Sequence, residues 1–333
     1  MQDPFLSVVV TSRNDDPGGE LNRRTAVFAD TLARQCHTLR LPLELVVVEW
    51  NPQPDRPPLA EAVAWPEPGW MRTRIVTVAP ELHAGFPNAA RIPLFQMIAK
   101  NVGIRRAKAP FVLATNVDVL FSMELMAWLA DRNPDPGAMY RLDRCDIPPA
   151  PELDGTLEAR MDYCRGHVIR IYAASKVLTP AGGRKFFAPE ADAFRSPGNL
   201  PGKEPGMPPY LHTNACGDFT LLSKDAWMDL RGYPELPLRA FKLDGLLCYA
   251  AHYAGFREQV LAYPLQVYHM DHGARGDGAD VAIADRARDA ESPLAFGDYS
   301  LYIGAMRRNN HPMLLNGRRT WGLGDRDLPE TAP

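Results

Sequence analysis

Apolar positions recur along this chain with two periods. Leu6 to Val10 is a short apolar run rich in β-branched residues, and Leu43 to Glu49 is another. Both have the pattern of strands buried on two faces. Between them, Leu21, Ala26, Phe28, Ala29, Leu32 and Ala33 fall at helical spacing, which predicts a helix over 21–39. This strand–helix–strand opening predicts a parallel sheet with helices on its faces. Further strands are expected at Ile75–Val78, Phe111–Ala114, Ala138–Leu142, Phe219–Leu222 and Leu265–Tyr268. Helices are expected at Ile92–Arg106, with Pro93 in its first turn, and at Ser122–Ala130, with Ser122 as N-cap. Others are expected at Lys224–Leu230, Asp244–Ala254 and near Asp280 to Leu294.

The segments between these elements are also informative. Asn51 to Gly69 carries six prolines and reads as a surface loop. Val177 to Tyr210 is Gly/Pro-rich with isolated aromatics, a length usual for a substrate loop or lid. Its basic residues between Arg184 and Lys203 suit closure over phosphate. The terminal Trp321 to Pro333 reads as a flexible tail.

Composition narrows the classes. The chain has 333 residues and a formal net charge of −3, enough for a substantial core and without the basic footprint of a nucleic-acid binder. Five widely spaced cysteines contain no CxxC pair, so neither a zinc knuckle nor a disulfide framework is expected. The opening Met1-Gln-Asp-Pro-Phe-Leu-Ser7 has no basic region and no long apolar core, so a signal peptide is not expected. Nor is a membrane span, since no stretch approaches 18 uncharged apolar residues.

The chemistry concentrates in Ala99-Lys-Asn-Val-Gly-Ile-Arg-Arg-Ala-Lys-Ala-Pro-Phe-Val-Leu-Ala-Thr-Asn-Val-Asp118. A helix with Asn101 and Gly103 leads into an apolar strand that ends at Asn116-Val-Asp118. Together with Ser7-Val-Val-Val-Thr-Ser-Arg-Asn14 and Glu49-Trp-Asn51, this resembles the nucleotide-sugar glycosyltransferases of the GT-A fold, in particular the inverting family 2-like enzymes. The resemblance covers most of Leu6 to Gly273. It implies an α/β fold with a mostly parallel central sheet flanked by helices. It divides the chain into a catalytic domain over 1–275 and a C-terminal helical extension and tail over 276–333. The nucleotide-binding half would be about 1–120 and the acceptor side about 121–275.

The resemblance also implies roles. Thr11, Arg13 and Glu49 would surround the nucleoside, at the carboxyl edge of the sheet where open α/β folds bind ligands; Arg13 to Asp16 also reads as a plain polar turn. Lys100, Asn101 and Arg105 would reach ribose or phosphate, or Asn101 and Gly103 would shape a close helix approach. Asp118 would hold a divalent cation, Mn2+ or Mg2+, against the diphosphate. Asn116 replaces the first acid of the family's Asp-x-Asp, and would ligate through its amide oxygen or contact ribose. In Val267-Tyr-His-Met-Asp-His-Gly273, His269 or His272 would complete the metal site, with core or surface packing as the other reading. The two histidines with Asp271 would also suit zinc, but phosphate chemistry explains the set better.

In His212 to Glu235, Asn214, Gly217 and Asp218 would bind the acceptor, whereas Trp227 and Tyr233 read as packing. Asp244 matches the catalytic carboxylate of the family's Glu-Asp pair, with Leu243 in place of the first acid; its other reading is a helix cap. As base it would deprotonate an acceptor hydroxyl for inverting displacement. The donor would be a nucleotide-diphospho-sugar, UDP before GDP, and the acceptor a glycan, a lipid-linked or a small molecule. The protein implied is a bacterial enzyme of carbohydrate biosynthesis, cytoplasmic or peripheral at the inner membrane face, with its oligomeric state open, a homodimer included. Two rivals stand beside it: a non-catalytic binding protein on a degenerate fold, kept alive by Asn116 and Leu243, and a sugar nucleotidyltransferase. The acidic Asp15-Asp-Pro-Gly-Gly-Glu20 argues against the second, which needs a basic loop.

Overall fold

A computed structural model describes residues 3–16, 19–148, 155–174, 176–178, 184–185, 210–271 and 294–333. Strands β1 (Leu6–Ser12), β2 (Leu43–Trp50), β3 (Met71–Val78) and β4 (Phe111–Ala114) form a parallel block in the order β4-β1-β2-β3. Residues 3–10 thus start the centre of the sheet, as the apolar runs predict. Alternation divides these strands between two cores. Leu6, Val8, Val10, Leu45 and Val47 face one layer, and Val9, Val46 and Val48 face the other. The first layer is covered by α1 (Glu20–Leu39), α5 (Met123–Ala130) and α6 (Leu157–Gly166), which follow the short helices α2 (Leu59–Ala62) and α3 (Pro80–Ala84) and the helix α4 (Gln96–Arg106) in the chain. The second layer is covered by α4, α7 (Lys224–Leu230), α8 (Leu243–Tyr253) and α9 (Phe296–Asn309).

The sheet continues beyond β4 through β11 (Thr220–Ser223), β6 (Ala138–Leu142) and β12 (Arg257–Leu261). A second sheet contains β5 (Val119–Phe121), β13 (Val267–Met270), β7 (Arg144–Ile147) and β8 (Arg170–Ala173), then β9 (Lys176–Leu178) and β10 (Arg184–Lys185). The expected α/β architecture, a large and mostly parallel sheet flanked by helices, is present. Ser122 caps α5 through a hydrogen bond from Leu125 N, and Ser223 caps α7 in the same way. Helix α4 begins at Gln96, so Pro93 precedes it and is not in its first turn.

Gly103 explains how α4 reaches the sheet. A Cβ at this position would lie 2.5 Å from Val9 Cγ1 and 3.1 Å from Val48 Cγ2. The Gly103→Ala variant is therefore expected to lose about 1–3 kcal/mol through overpacking, read as a lower urea midpoint at unchanged m-value. A midpoint equal to wild type would show that α4 shifts freely.

The C-terminal segment departs from expectation. Trp321 is fully buried and carries the Arg105 guanidinium 4.9 Å from its ring centroid. Arg106 donates to the carbonyls of Gly322 and Leu323. The last strand, β14 (Glu330–Thr331), pairs antiparallel with β3. The tail read as flexible is instead bound to the back of α4 and the edge of the sheet. The helix expected near Asp280 lies, apart from Leu294, outside the described residues. Among the described residues no helix is long and apolar enough to cross a membrane.

Candidate active site

The central constellation gathers where β4 ends and the two sheets meet. The backbone after β4 carries Thr115-Asn116-Val117-Asp118, and Thr115 Oγ1 donates to Asp218 O at 2.7 Å. Asn116 is engaged at both ends of its amide: Oδ1 accepts from Gln96 Nε2 at 2.9 Å, and Nδ2 donates to Asp218 Oδ1. Asp218, 102 residues later in the chain, thus places a carboxylate against Asn116.

Asp218 was expected at the acceptor. It sits beneath the Asn116–Asp118 turn and pairs with Arg144, whose Nη1 lies 2.7 Å from Asp218 Oδ2. Burial alone would raise the Asp218 pKa, but Arg144 and its neighbours overcome this and hold it at about 2. A carboxylate lowered in the folded state stabilises the fold fully above its unfolded pKa and loses that contribution as pH falls through the folded value. From an ordinary value of 3.8 to about 2, the contribution is on the order of 2 kcal/mol. Acid unfolding of Asp218→Asn is expected to show a smaller loss of stability between pH 4 and pH 2 than wild type; an identical loss would contradict this.

Asp118 faces β13. Its Oδ2 lies 3.5 Å from His269 Nε2, and His269 Nδ1 lies 3.2 Å from Asp146 Oδ1. Register explains the meeting: His269 pairs with Val119 on one side and with Asp146 on the other. Burial disfavours the imidazolium, yet hydrogen bonds to Asp118 and Asp146 outweigh it and raise the His269 pKa to about 9. Asp146 is held in turn by Arg144 and by Arg170, whose Nε is 3.0 Å away. His272 lies outside the described residues, as does most of the basic loop from Arg184 to Lys203.

These residues can be tested against a divalent cation. Asp118 Oδ2 and His269 Nε2 converge at the separation of adjacent ligands on one ion, and one or two protein ligands completed by phosphate oxygens and water is the usual Mg2+ arrangement. The pair would fit such an ion once His269 releases the proton that Asp118 and Asp146 hold on it. Asn116 does not join it, because its amide oxygen accepts from Gln96. Among the described residues no group of three or more His, Cys, Asp or Glu side chains is arranged to hold a metal, so the cation would depend on its substrate for the remaining ligands.

Asp244 stands opposite, in the first turn of α8, partly accessible to solvent. An added Cβ on Gly217 would lie 3.1 Å from Asp244 Oδ2, so the bare backbone of the Cys216–Asp218 turn abuts the carboxylate. Burial raises the Asp244 pKa, opposed by hydrogen bonds from Cys216 and the Gly245 amide and by the charge of Lys100. Lys100 is fully buried and donates to Gly217 O at 2.7 Å. Its pKa is pushed by desolvation down to about 8, against the pull of Asp218, Asp244 and Asp118. One lysine therefore stands among three carboxylates. Gly217 serves as backbone between Lys100 and Asp244.

Other expected residues are engaged elsewhere. Asn101 donates to Tyr233 O and Glu235 Oε1 and accepts from Tyr233 N, so it fastens the turn after α7 and does not face ribose or phosphate. Thr11 Oγ1 donates to Val48 O. Glu49, buried and with its pKa raised by desolvation, accepts from Leu59 N at 2.8 Å. Arg13 donates to Pro93 O and pairs with Asp15 at 3.5 Å. These three do lie at the ends of β1 and β2, but Thr11 bonds the β2 backbone and the polar atoms of Arg13 and Glu49 hold the surrounding loops. Asn214 donates to Ala173 O at 2.8 Å and anchors β8. Sequence reading passed over Gln96, Arg144, Asp146 and Arg170. The signal available was the alternation Arg144-Cys-Asp146-Ile, charges spaced by two within an apolar strand.

Comparison with known proteins adds one likeness. No family model matches the chain, and no curated protein matches it. The chain is similar to S. aureus TarS. Against the first TarS crystal structure the identity is 15% and the TM-score 0.43, covering 92% of this chain and 43% of that one. Against TarS 1-349 the values are 15% and 0.44, with 92% and 71% covered. Against TarS 1-349 in complex with UDP-GlcNAc they are 14% and 0.44, with 92% and 72% covered. The chain thus spans less than half the length of the first of these structures.

Proposed function

We propose that this chain is a glycosyltransferase that moves a sugar from a nucleotide-diphospho-sugar to an acceptor hydroxyl with inversion. One observation carries the reading: Asp118, Asp218 and Asp244 all act on the fully buried Lys100, which donates to Gly217 O between the end of β4 and the start of α8. A carboxylate raised by burial, facing a phosphate-type site across one backbone turn, suits deprotonation of a hydroxyl as it attacks. In this account Asp244 takes the acceptor proton, and attack proceeds in line from its side of the cleft. Lys100 remains largely protonated at neutral pH and attracts the departing diphosphate. Arg144 holds Asp218, which orients Asn116 and the backbone that presents Asp118.

Asp118 and His269 would hold Mn2+ or Mg2+. Such an ion, when bound, neutralises charge on the leaving nucleoside diphosphate. Thr11, Arg13 and Glu49 shape the walls of the nucleoside site by fixing the loops after β1 and β2. UDP is the first nucleotide to test and GDP the second. The test is release of nucleoside diphosphate from a panel of UDP- and GDP-sugars, with and without Mn2+, by wild type and Asp244→Asn. Turnover that depends on Asp244 supports the reading. Absence of turnover and of nucleotide binding in folded protein would leave a degenerate binding fold.

A further inference from the structure

His269 can meet a cation beside Asp118 through only one of its two ring nitrogens, and the register of the second sheet bears on which. Arg170 on β8 pairs with Asp146 on β7, Asp146 with His269 on β13, and His269 with Val119 on β5, the residue after Asp118. One row across these neighbouring strands therefore runs from a guanidinium through a carboxylate and an imidazole to the end of the Asn116–Asp118 turn.

The side-chain distances follow the row. Arg170 Nε donates to Asp146 Oδ2 at 3.0 Å, His269 Nδ1 lies 3.2 Å from Asp146 Oδ1, and His269 Nε2 lies 3.5 Å from Asp118 Oδ2. A carboxylate only accepts, so the proton in the bond between Asp146 and His269 belongs to Nδ1. Nε2 is then the nitrogen turned toward Asp118. Asp146 is itself held away from the cation site: it is 2% exposed, with Arg144 Nε at 2.9 Å and Arg170 Nε at 3.0 Å. Both guanidinium groups lie over the ring of Tyr172, at 4.1 and 5.8 Å from its centroid. An imidazole bound on one nitrogen by a fixed carboxylate keeps its ring plane and presents the other nitrogen to a metal. The row has this form, with the carboxylate anchored by two arginines that rest on one aromatic ring.

We propose that Asp146 is a positioning residue for His269: by accepting from Nδ1 it fixes the ring across the sheet and aims Nε2 at the cation site beside Asp118. This rests on the reading that Asp118 and His269 hold the cation. The test is a double-mutant cycle on the full chain with Asp146→Asn and His269→Ala. The probe is Mn2+ in the presence of UDP, with GDP in its place if UDP gives no binding, and free Mn2+ is read by electron paramagnetic resonance. Asp146→Asn leaves Asp118 and His269 in place. The two arginines then claim the single amide oxygen, which turns the amide N–H toward His269 and removes the acceptor for Nδ1. Mn2+ affinity should fall by about 10- to 100-fold when His269 is present. With His269→Ala already made, the same change should cost less than about twofold. Equal losses in both backgrounds would make Asp146 a structural or general electrostatic contributor and overturn the proposal, as would unchanged affinity in folded Asp146→Asn. If Asp146→Asn does not fold, Arg170→Gln carries the test, because it loosens the anchor and keeps the carboxylate. Its loss of affinity should be smaller and should likewise vanish with His269→Ala; a loss that persists there overturns the proposal. The same cycle read in urea midpoints needs no metal, and the bond between Asp146 and His269 predicts non-additive shifts. If wild type binds no Mn2+ with either nucleotide while the midpoints are non-additive, the cation reading fails and the hold of Asp146 on His269 stands. Additive midpoints overturn that hold.

Discussion

Asp244→Asn is expected to lower sugar transfer by about 10²- to 10⁴-fold, the range for loss of a positioned general base, while nucleotide affinity changes little. The amide is nearly isosteric, so contacts with Cys216 and the Gly245 amide survive, and Gly217 still abuts the side chain. What disappears is the capacity to accept a proton. The wild-type pH profile carries the same signature. Transfer needs the carboxylate form, present above the pKa of Asp244 and lost as pH falls through it. Burial raises that pKa above the ordinary 3.8, so the acidic limb should lie above the usual aspartate range. The measurement is kcat and KM over pH 4–9 for both proteins. An Asp244→Asn enzyme within tenfold of wild type would remove Asp244 from the chemistry.

Arg144→Met is expected to cost about 3–5 kcal/mol, the range for removing one partner of a buried ionic cluster. Arg144 lies 2.7 Å from Asp218 and 2.9 Å from Asp146, and its guanidinium covers the Tyr172 ring at 4.1 Å. Asp146 keeps Arg170 and His269 after the change. Asp218 keeps the Asn116 amide and the more distant Lys100. Asp218, 6% exposed, therefore loses its main cation, and Asp146, 2% exposed, loses one of three. Urea unfolding should show the loss at constant m-value, smaller at pH 4 than at pH 7, because protonating the carboxylates relieves the unpaired charge. A loss under 1 kcal/mol would mean that the cluster relaxes or that water enters it.

The parallel block and its helices were legible because each strand from β1 to β4 contains a β-branched or apolar run and α1 keeps its 3.6 spacing; β3 was seen only from Ile75, since Arg72, Thr73 and Arg74 precede it. The second sheet was legible only at β13: β7 alternates charged with apolar residues and β8 is a short run begun by Arg170, so both read as connection. Asp118, Lys100 and Asp244 were proposed from local motif context, where helix, strand and acid follow one another within a few residues. Asp218 was read by the same local logic, which did not foresee its contacts. Its partners Asn116 and Arg144 are 102 and 74 residues away, a separation that spacing cannot reveal. The partners of Asn101 were hidden for a related reason: Tyr233 and Glu235 lie 132 and 134 residues away. The tail after Trp321 looked loose because Gly322, Gly324 and alternating charges dominate it. Those glycines are what let it press on α4: at Gly322, with φ +60°, a Cβ would lie 2.5 Å from Asn101 O.

The central claim is that Asp118 presents a cation-dependent nucleoside diphosphate site. It is tested most directly by thermal shift with UDP, GDP, CDP and TDP, each with and without Mn2+, on wild type and Asp118→Ala. A ligand at a hundredfold excess over its Kd stabilises the native state by about 2.7 kcal/mol. The account predicts that one nucleotide raises the wild-type Tm only when Mn2+ is present, and that Asp118→Ala, folded and with its own Tm defined, shows no such rise. Equal Mn2+-dependent stabilisation of both proteins, or none of either by any nucleotide, would contradict it.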